Sequence, residues 1–124
     1  MMMNKINEPI VYVVESISSR DLSDAKRYGK LQAVFTNTKK PYDTQFLMNK
    51  ARTHLEHFTE RDFLLFIGDP MLGAVCMSIA SEVSPSINCL SWDRQHFVYT
   101  ETTWHFADYF EDNNYNLFDN STGE

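Results

Sequence analysis

The stretch DFLLFIGDPMLGAV, residues 62–75, decides the fold that we expect. Its five consecutive apolar residues, 63–67, are typical of a central parallel strand that is buried on both faces. Asp69 is suited to cap a helix, because its carboxylate can accept the free N–H groups of the first turn. Pro70 is suited to the first helical position, where a missing N–H costs nothing. The stretch therefore predicts a strand, a tight turn at Gly68 and a mostly buried helix.

A turn between a strand and a helix is also the place where nucleotide-binding domains hold phosphate. The turn at residues 67–73, IGDPMLG, has neither the G-x-G-x-x-G pattern nor the Lys-Ser/Thr of a P-loop. Asp69 would put a carboxylate where the anion would lie, and Pro70 removes a donor. Helix initiation therefore explains these residues better than nucleotide binding does.

Further elements lie on both sides of this stretch. PIVYVV (9–14) and LQAVFT (31–36) have the β-branched and aromatic residues of strands. The polar residues 18–30 between them fit a short helix or an ordered loop equally well. A second helix, capped by Asp43 or Thr44, is predicted from apolar residues that recur at helical spacing. These residues are Leu47, Ala51, Leu55 and Phe58.

The C-terminal third contains two more predicted strands, SINCLSW (86–92) and HFVYTETTW (96–104), joined by a tight turn. In the second of them, the alternation places Phe97 and Tyr99 on one face. The whole order predicts an α/β fold. We expect a small three-layer domain with a mostly parallel sheet of four to five strands, two main helices and a C-terminal β-hairpin.

We expect a single domain over residues 1–104, because 124 residues provide one core. Residues 105–124 are predicted to form an acidic aromatic C-terminal tail that is partly disordered. No apolar run approaches the roughly 20 residues that cross a bilayer. The N-terminal residues also lack the pattern of a signal peptide. We therefore expect no contact with a membrane.

Residues that could carry chemistry are few. Cys76 and Cys89 lie in apolar surroundings, which favours buried, reduced thiols. His54 and His57 are three residues apart on the second predicted helix, but no cysteine pair accompanies them, so we expect no metal and no cofactor. The chain contains no G-x-S-x-G and no other recognisable nucleophile motif. The sequence thus leaves catalysis open but offers no motif in its favour.

Charge is unevenly distributed in this chain of net charge −6. Residues 18–52 carry eight basic and three acidic side chains, whereas residues from 95 onward carry six acids and no Lys or Arg. Basic residues mixed with aromatic ones over 20–40 could bind single-stranded nucleic acid, but the overall acidity favours an ordinary solvated face. The tail could pack over the sheet edge, or it could imitate DNA and occupy a DNA-binding protein. It could also dock on a basic partner through Phe106, Tyr109, Phe110, Tyr115 and Phe118.

Three phrases together resemble a family of small proteins of short-tailed bacteriophages. They are VYVVESISSRDLSDAKRYGKLQAVF (11–35), DFLLFIGDPMLGAVCMSIASE (62–82) and LSWDRQHFVYTETTW (90–104). The resemblance implies a phage origin and the host cytoplasm, and it carries no catalytic residues across. It favours an accessory or host-takeover protein that binds a host or phage protein stoichiometrically, without catalysis.

A binding surface is expected beyond the carboxyl ends of the parallel strands, where ligands collect in doubly wound sheets. The segments that follow Val14, Ile67 and Trp92 would converge there. The alternative function is a small-ligand or nucleotide-binding domain, enzymatic or not, that uses this crevice. The residues expected around it are Arg20, Asp21, Asp69, Asp93 and Arg94.

Overall fold

The computed structural model describes residues 8–106. Its sheet has the spatial order β2-β1-β3-β4-β5. Neighbouring strands are parallel except for the last pair, β4 and β5, which is an antiparallel hairpin. The predicted α/β fold is therefore confirmed. The strands are β1 (Ile10–Ser16), β2 (Lys30–Thr36), β3 (Phe63–Leu65), β4 (Ser86–Asp93) and β5 (Val98–His105).

Two α-helices of the described residues, α1 (Thr44–Leu55) and α2 (Pro70–Val83), pack on one face of the sheet. The other face is covered by a short 3-10 helix (Ser23–Arg27), which buries Ala25 against the strands. The connection from β1 to β2 thus runs on one face, and the next two connections run on the other. The chain reverses its direction across the sheet between β1 and β3, and we call this place the switch point.

Local sequence patterns explain both helices. Asp43 caps α1 by accepting a hydrogen bond from Phe46 N at 3.2 Å, and Asp69 caps α2 by accepting one from Met71 N at 2.9 Å. Pro70 occupies the start of α2, as predicted. The four apolar residues expected to form the stripe of α1 are all buried, although the last of them follows the end of the helix.

Two details of the strand prediction are wrong. β3 ends at Leu65, two residues before the end of the apolar run. Phe97 does not share a face with Tyr99, because it belongs to the turn before β5. Its N–H binds the carbonyl of Asp93 at 2.8 Å and its φ is +56°. Phe97 is consequently exposed while Tyr99 is buried.

Asp62 fastens the amino ends of two central strands. Its side chain is buried, and it accepts hydrogen bonds from Ile10 N at 2.9 Å and from both N and Oγ1 of Thr59 at 2.9 and 3.0 Å. A buried carboxylate is tolerated only with such partners. This residue therefore holds the entrance of β1 beside that of β3.

We expect Asp62→Ala to lower the free energy of unfolding by about 3 kcal/mol, because buried N–H groups would lose their acceptor. The control is Asp43→Ala, which removes an aspartate from an exposed helix cap and should cost about 1 kcal/mol. Urea denaturation of both variants measures the two losses. Equal losses would contradict the structural role given to Asp62.

Candidate functional site

The switch point, where a doubly wound sheet usually binds its ligand, is filled by the side chain of Glu15. The residue is only 7% exposed. It accepts hydrogen bonds from Asp69 N and Thr38 N, both at 3.0 Å. Gly68 permits the close approach, since a Cβ there would lie 2.3 Å from Glu15 Oε1 and its φ is +94°. Glu15 thus lies against the N-terminus of α2, in the position that an external anion would take.

Asp69 extends this group towards the solvent. The Tyr42 hydroxyl donates a hydrogen bond to Asp69 Oδ2, and Lys40 Nζ lies 3.5 Å from the same oxygen. The hydrogen bond from Tyr42 is the main cause that lowers the pKa of Asp69, and the Asp69 carboxylate raises the pKa of Tyr42 to about 12. We call Glu15, Lys40, Tyr42 and Asp69 the switch-point cluster. Its polar groups satisfy one another.

A separate pocket of about 410 Å³ lies between the 3-10 helix segment and the β4–β5 hairpin. We call it the hairpin pocket. Acidic and basic side chains lie on the side of the 3-10 helix, and aromatic rings lie on the side of the hairpin. The residues that line the pocket are Arg20, Asp21, Ser23, Asp24, Trp92, Phe97 and Tyr99.

The aromatic side of the hairpin pocket has a buried and an exposed part. Tyr99 is 3% exposed, and its ring meets the Trp92 ring edge to face with centroids 4.9 Å apart. Burial raises the pKa of Tyr99. Trp92 itself is 40% exposed. An apolar surface held in place by Tyr99 is thus open to solvent.

The polar wall of the pocket is held by hydrogen bonds to the backbone of Tyr99. Asp24 accepts from Tyr99 N at 2.8 Å, while Arg27 and Tyr28 donate to Tyr99 O at 2.8 and 3.0 Å. Arg27 also binds Asp24 at 3.1 Å. The hydrogen bond from Tyr99 N is the main cause that lowers the pKa of Asp24. The wall is therefore fixed to β5 by side chains of the protein itself.

The tip of the hairpin is held by Asp93. Its carboxylate accepts hydrogen bonds from Gln95 N at 2.9 Å and His96 N at 3.2 Å, and it contacts His96 Nδ1 at 2.8 Å. The interaction with the His96 side chain is the main cause that lowers the pKa of Asp93. This turn fixes Phe97 in its unusual conformation, with 72% of the residue exposed.

The structure brings some of the expected crevice residues together. Arg20 and Asp21 line the hairpin pocket together with Trp92, which precedes Asp93 and Arg94 in the chain. Asp69 belongs to the switch-point cluster, and its approach to Arg94 stays a prediction.

Of the expected tail residues, Phe106 packs against the core on the helix side. The other four lie outside the described residues: Tyr109, Phe110, Tyr115 and Phe118.

Sequence reasoning missed Glu15 and Tyr42 in the cluster, and Asp24 and Phe97 in the pocket. Glu15 had one local signal, an acid placed directly after the apolar run of β1. Tyr42 had none, because its partner Asp69 is distant in the chain. Phe97 looked like an ordinary strand residue, and only the geometry of the turn sets it apart.

Neither the two thiols nor the metal-ligating side chains of residues 8–106 form a further centre. Cys76 and Cys89 are buried, and burial raises their pKa values to about 12 and about 11, so both thiols are protonated at neutral pH. Within residues 8–106, no three or more His, Cys, Asp or Glu side chains form a group suited to a metal ion. None of the helices in this range has the length and apolarity to span a bilayer.

The chain is thus a small doubly wound α/β domain whose switch point is filled by its own side chains and whose hairpin carries an aromatic pocket. It belongs to the Phage Pam3 gp32-like protein family, whose profile matches residues 9–106. This confirms the resemblance to phage proteins that the sequence phrases indicated. Searches of curated proteins and of solved structures gave no match.

We expect Tyr42→Phe to raise the pKa of Asp69 towards its ordinary value, since the main hydrogen bond that stabilises the carboxylate is lost. Because the pKa of Asp69 is lowered in the folded protein, its contribution to stability is complete above the unfolded value of about 4. The contribution disappears as the pH falls through the folded pKa. In Tyr42→Phe this acid-dependent loss should be smaller, and stability at neutral pH should be lower.

The measurement is an NMR titration of the Asp69 side chain. The free energy of unfolding is measured in parallel from about pH 2 to about pH 7. Tyr28→Phe is the matched control, because its hydroxyl binds a backbone carbonyl and no carboxylate. An Asp69 titration curve unchanged by Tyr42→Phe would show that the hydrogen bond does not set this pKa.

Proposed function

We propose that this phage protein acts in the host cytoplasm as an accessory or host-takeover factor that binds a host or phage protein stoichiometrically, without catalysis. The observation that carries the proposal is the hairpin pocket, where the exposed rings of Trp92 and Phe97 lie beside Arg20. Tryptophan, tyrosine and arginine dominate the binding energy of protein interfaces, particularly around small pockets.

The backbone conformation of Phe97 is energetically unfavourable, and the packing of this exposed ring does not compensate for it. A phenylalanine at φ +56° costs about 1 kcal/mol or more, and this ring is 72% exposed, so packing returns little of that energy. Asparagine or glycine would suit the same backbone better. A strained and exposed aromatic residue supports a role in contact with another molecule.

The pocket is also organised in advance. Asp24, Arg27 and Tyr28 fasten one wall to the backbone of Tyr99, and Asp93 fastens the hairpin turn. A surface that is already ordered loses less conformational entropy on binding. This supports a specific partner rather than adventitious contact.

The chemistry of the lining suggests the kind of contact that a partner makes. An apolar or aromatic side chain fits between Trp92 and Phe97, and an acidic group on the partner would reach Arg20. Asp21 is engaged by its own chain, since it accepts a hydrogen bond from Ser23 N at 2.9 Å. We therefore propose a protein partner that presents an apolar anchor next to a carboxylate.

The alternative function, a small ligand or nucleotide at the switch point, has less support. A phosphate there would have to displace the Glu15 carboxylate from two backbone N–H groups. It would also meet the negative charge of Asp69, whose pKa is lowered. The tail residues beyond 106 remain proposed as an additional partner-binding segment.

Phe97→Asn tests the proposal, because asparagine tolerates a positive φ while the aromatic ring is removed. The full-length chain serves as bait in extracts of infected cells, and the affinity for the captured protein is then measured by calorimetry. We expect at least a tenfold loss of affinity, the effect of about 1.4 kcal/mol, with a melting temperature no lower than that of the wild type.

Phe46→Ala is the matched control, since Phe46 is another exposed phenylalanine, 59% exposed, and lies on α1. It should leave the affinity unchanged. Equal binding by wild type, Phe97→Asn and Trp92→Ala would remove the pocket from the proposal. A small molecule that copurifies with the protein and is lost in Glu15 variants would instead favour the alternative function.

A further inference from the structure

The outer face of α1 carries an open groove of about 390 Å³. The residues that line it are Phe46, Asn49, Lys50, Thr53 and His54. They recur three or four positions apart, so they share one side of the helix. Leu47, Ala51 and Leu55 are buried on the other side. The groove therefore faces away from the core.

The lining of this groove is apolar and basic. Phe46 is 59% exposed. α1 contains no Asp or Glu, and no salt bridge within residues 8–106 involves Lys50. A lysine beside an exposed aromatic ring is complementary to a segment that places an apolar side chain next to a carboxylate.

The chain itself contains such segments after the last described residue. Residues 107–124 carry five acids and four aromatic side chains, and they include no Lys, Arg or His. Tyr109 and Phe110 are followed directly by Glu111, and Leu117 and Phe118 are followed directly by Asp119. Both segments thus have the chemistry that the groove suits.

The place where the chain leaves the described residues lies near α1. Phe106 packs on the helix side of the core, and its N–H donates to Pro85 O at 2.9 Å. Pro85 lines one small pocket together with Phe58 and Thr59, which follow the end of α1. The chain therefore reaches residue 107 beside the C-terminal end of α1, on the face of the sheet that carries the groove.

Chain length decides which of the two segments can reach the exposed ring. Phe46 precedes Leu55 by nine residues, which is about 14 Å along the helix. Phe110 follows Phe106 by four residues and extends at most about 14 Å from it, which leaves nothing for the gap between Phe106 and α1. Phe118 follows by 12 residues and extends up to about 40 Å. Of the two segments, the second can reach Phe46.

We propose that residues 117–119 dock in the α1 groove of their own chain, with the Phe118 ring on Phe46 and Asp119 beside Lys50. An exposed ion pair stabilises little by itself, so the rings supply most of the attraction. The covalent connection helps, because it keeps the segment at a high effective concentration near the groove.

This docking goes beyond the proposed function and does not depend on it. The hairpin pocket lies on the opposite face of the sheet, where the 3-10 helix packs. Phe97→Asn, which tests the hairpin pocket, should therefore leave the docked segment in place. Either proposal can fail alone.

Nuclear Overhauser contacts between the Phe46 and Phe118 rings test the docking directly in the full-length chain. We expect them in the wild type at low salt, where exposed charges are least screened. A sample that mixes isotope-labelled and unlabelled chains separates contacts within one chain from contacts between two copies. Contacts that occur only between copies would overturn the proposal, and so would the absence of any contact between the two rings.

Charge reversal tests the part played by Lys50. Lys50→Glu should weaken the contact between the rings at least threefold, because the groove then repels Asp119, and Asp119→Lys in the same chain should restore it. Lys26→Glu is the matched control, since it makes the same change at an exposed lysine of the 3-10 helix. Equal effects of Lys50→Glu and Lys26→Glu would contradict the pairing of Lys50 with Asp119. Far-ultraviolet circular dichroism verifies that each variant is folded, and the wild-type contact decides the question even if one variant is not.

Discussion

The carboxylate of Glu15 is the constraint on which the centre of the structure depends. It accepts one hydrogen bond from Thr38 N, in the loop after β2, and one from Asp69 N, at the residue that caps α2. A buried carboxylate cannot remain without such partners, so both segments are held at the end of β1. Gly68 is needed because any side chain would collide with Glu15. The positions of Asp69 and Tyr42 follow from this arrangement.

This constraint distinguishes the protein from doubly wound domains that bind a ligand at the switch point. In doubly wound sheets, the switch point is an open crevice whose helix N-terminus attracts anions. Here the anion is a side chain of the protein, and a second carboxylate, Asp69, follows it. The hairpin pocket lies apart from the switch point, on the β4–β5 hairpin that the antiparallel strand adds to the parallel sheet. We therefore propose the hairpin pocket, rather than the switch point, as the surface that contacts a partner.

Local patterns were sufficient for most of the fold. The apolar run before Gly68, the caps at Asp43 and Asp69 and the stripe on α1 each depend on residues a few positions apart. The cluster and the pocket depend instead on pairs far apart in the chain. Glu15 and Asp69 are separated by 54 residues, and Asp24 and Tyr99 by 75. No periodicity indicates such pairs, because they exist only after the sheet has formed. Phe97 was misplaced for a related reason, since its conformation is set by Asp93 in a turn whose length the alternation does not reveal.

The polar segment that the sequence left undecided, residues 18–30, has the widest consequences. Three of its side chains, Asp24, Arg27 and Tyr28, form hydrogen bonds with the backbone of Tyr99. These hydrogen bonds have two effects. They build the wall of the hairpin pocket, and they occupy the outward backbone groups of Tyr99 on β5. A change that loosens the wall would therefore also uncover the backbone of Tyr99, so the order of the pocket and the protection of this part of β5 depend on the same three side chains.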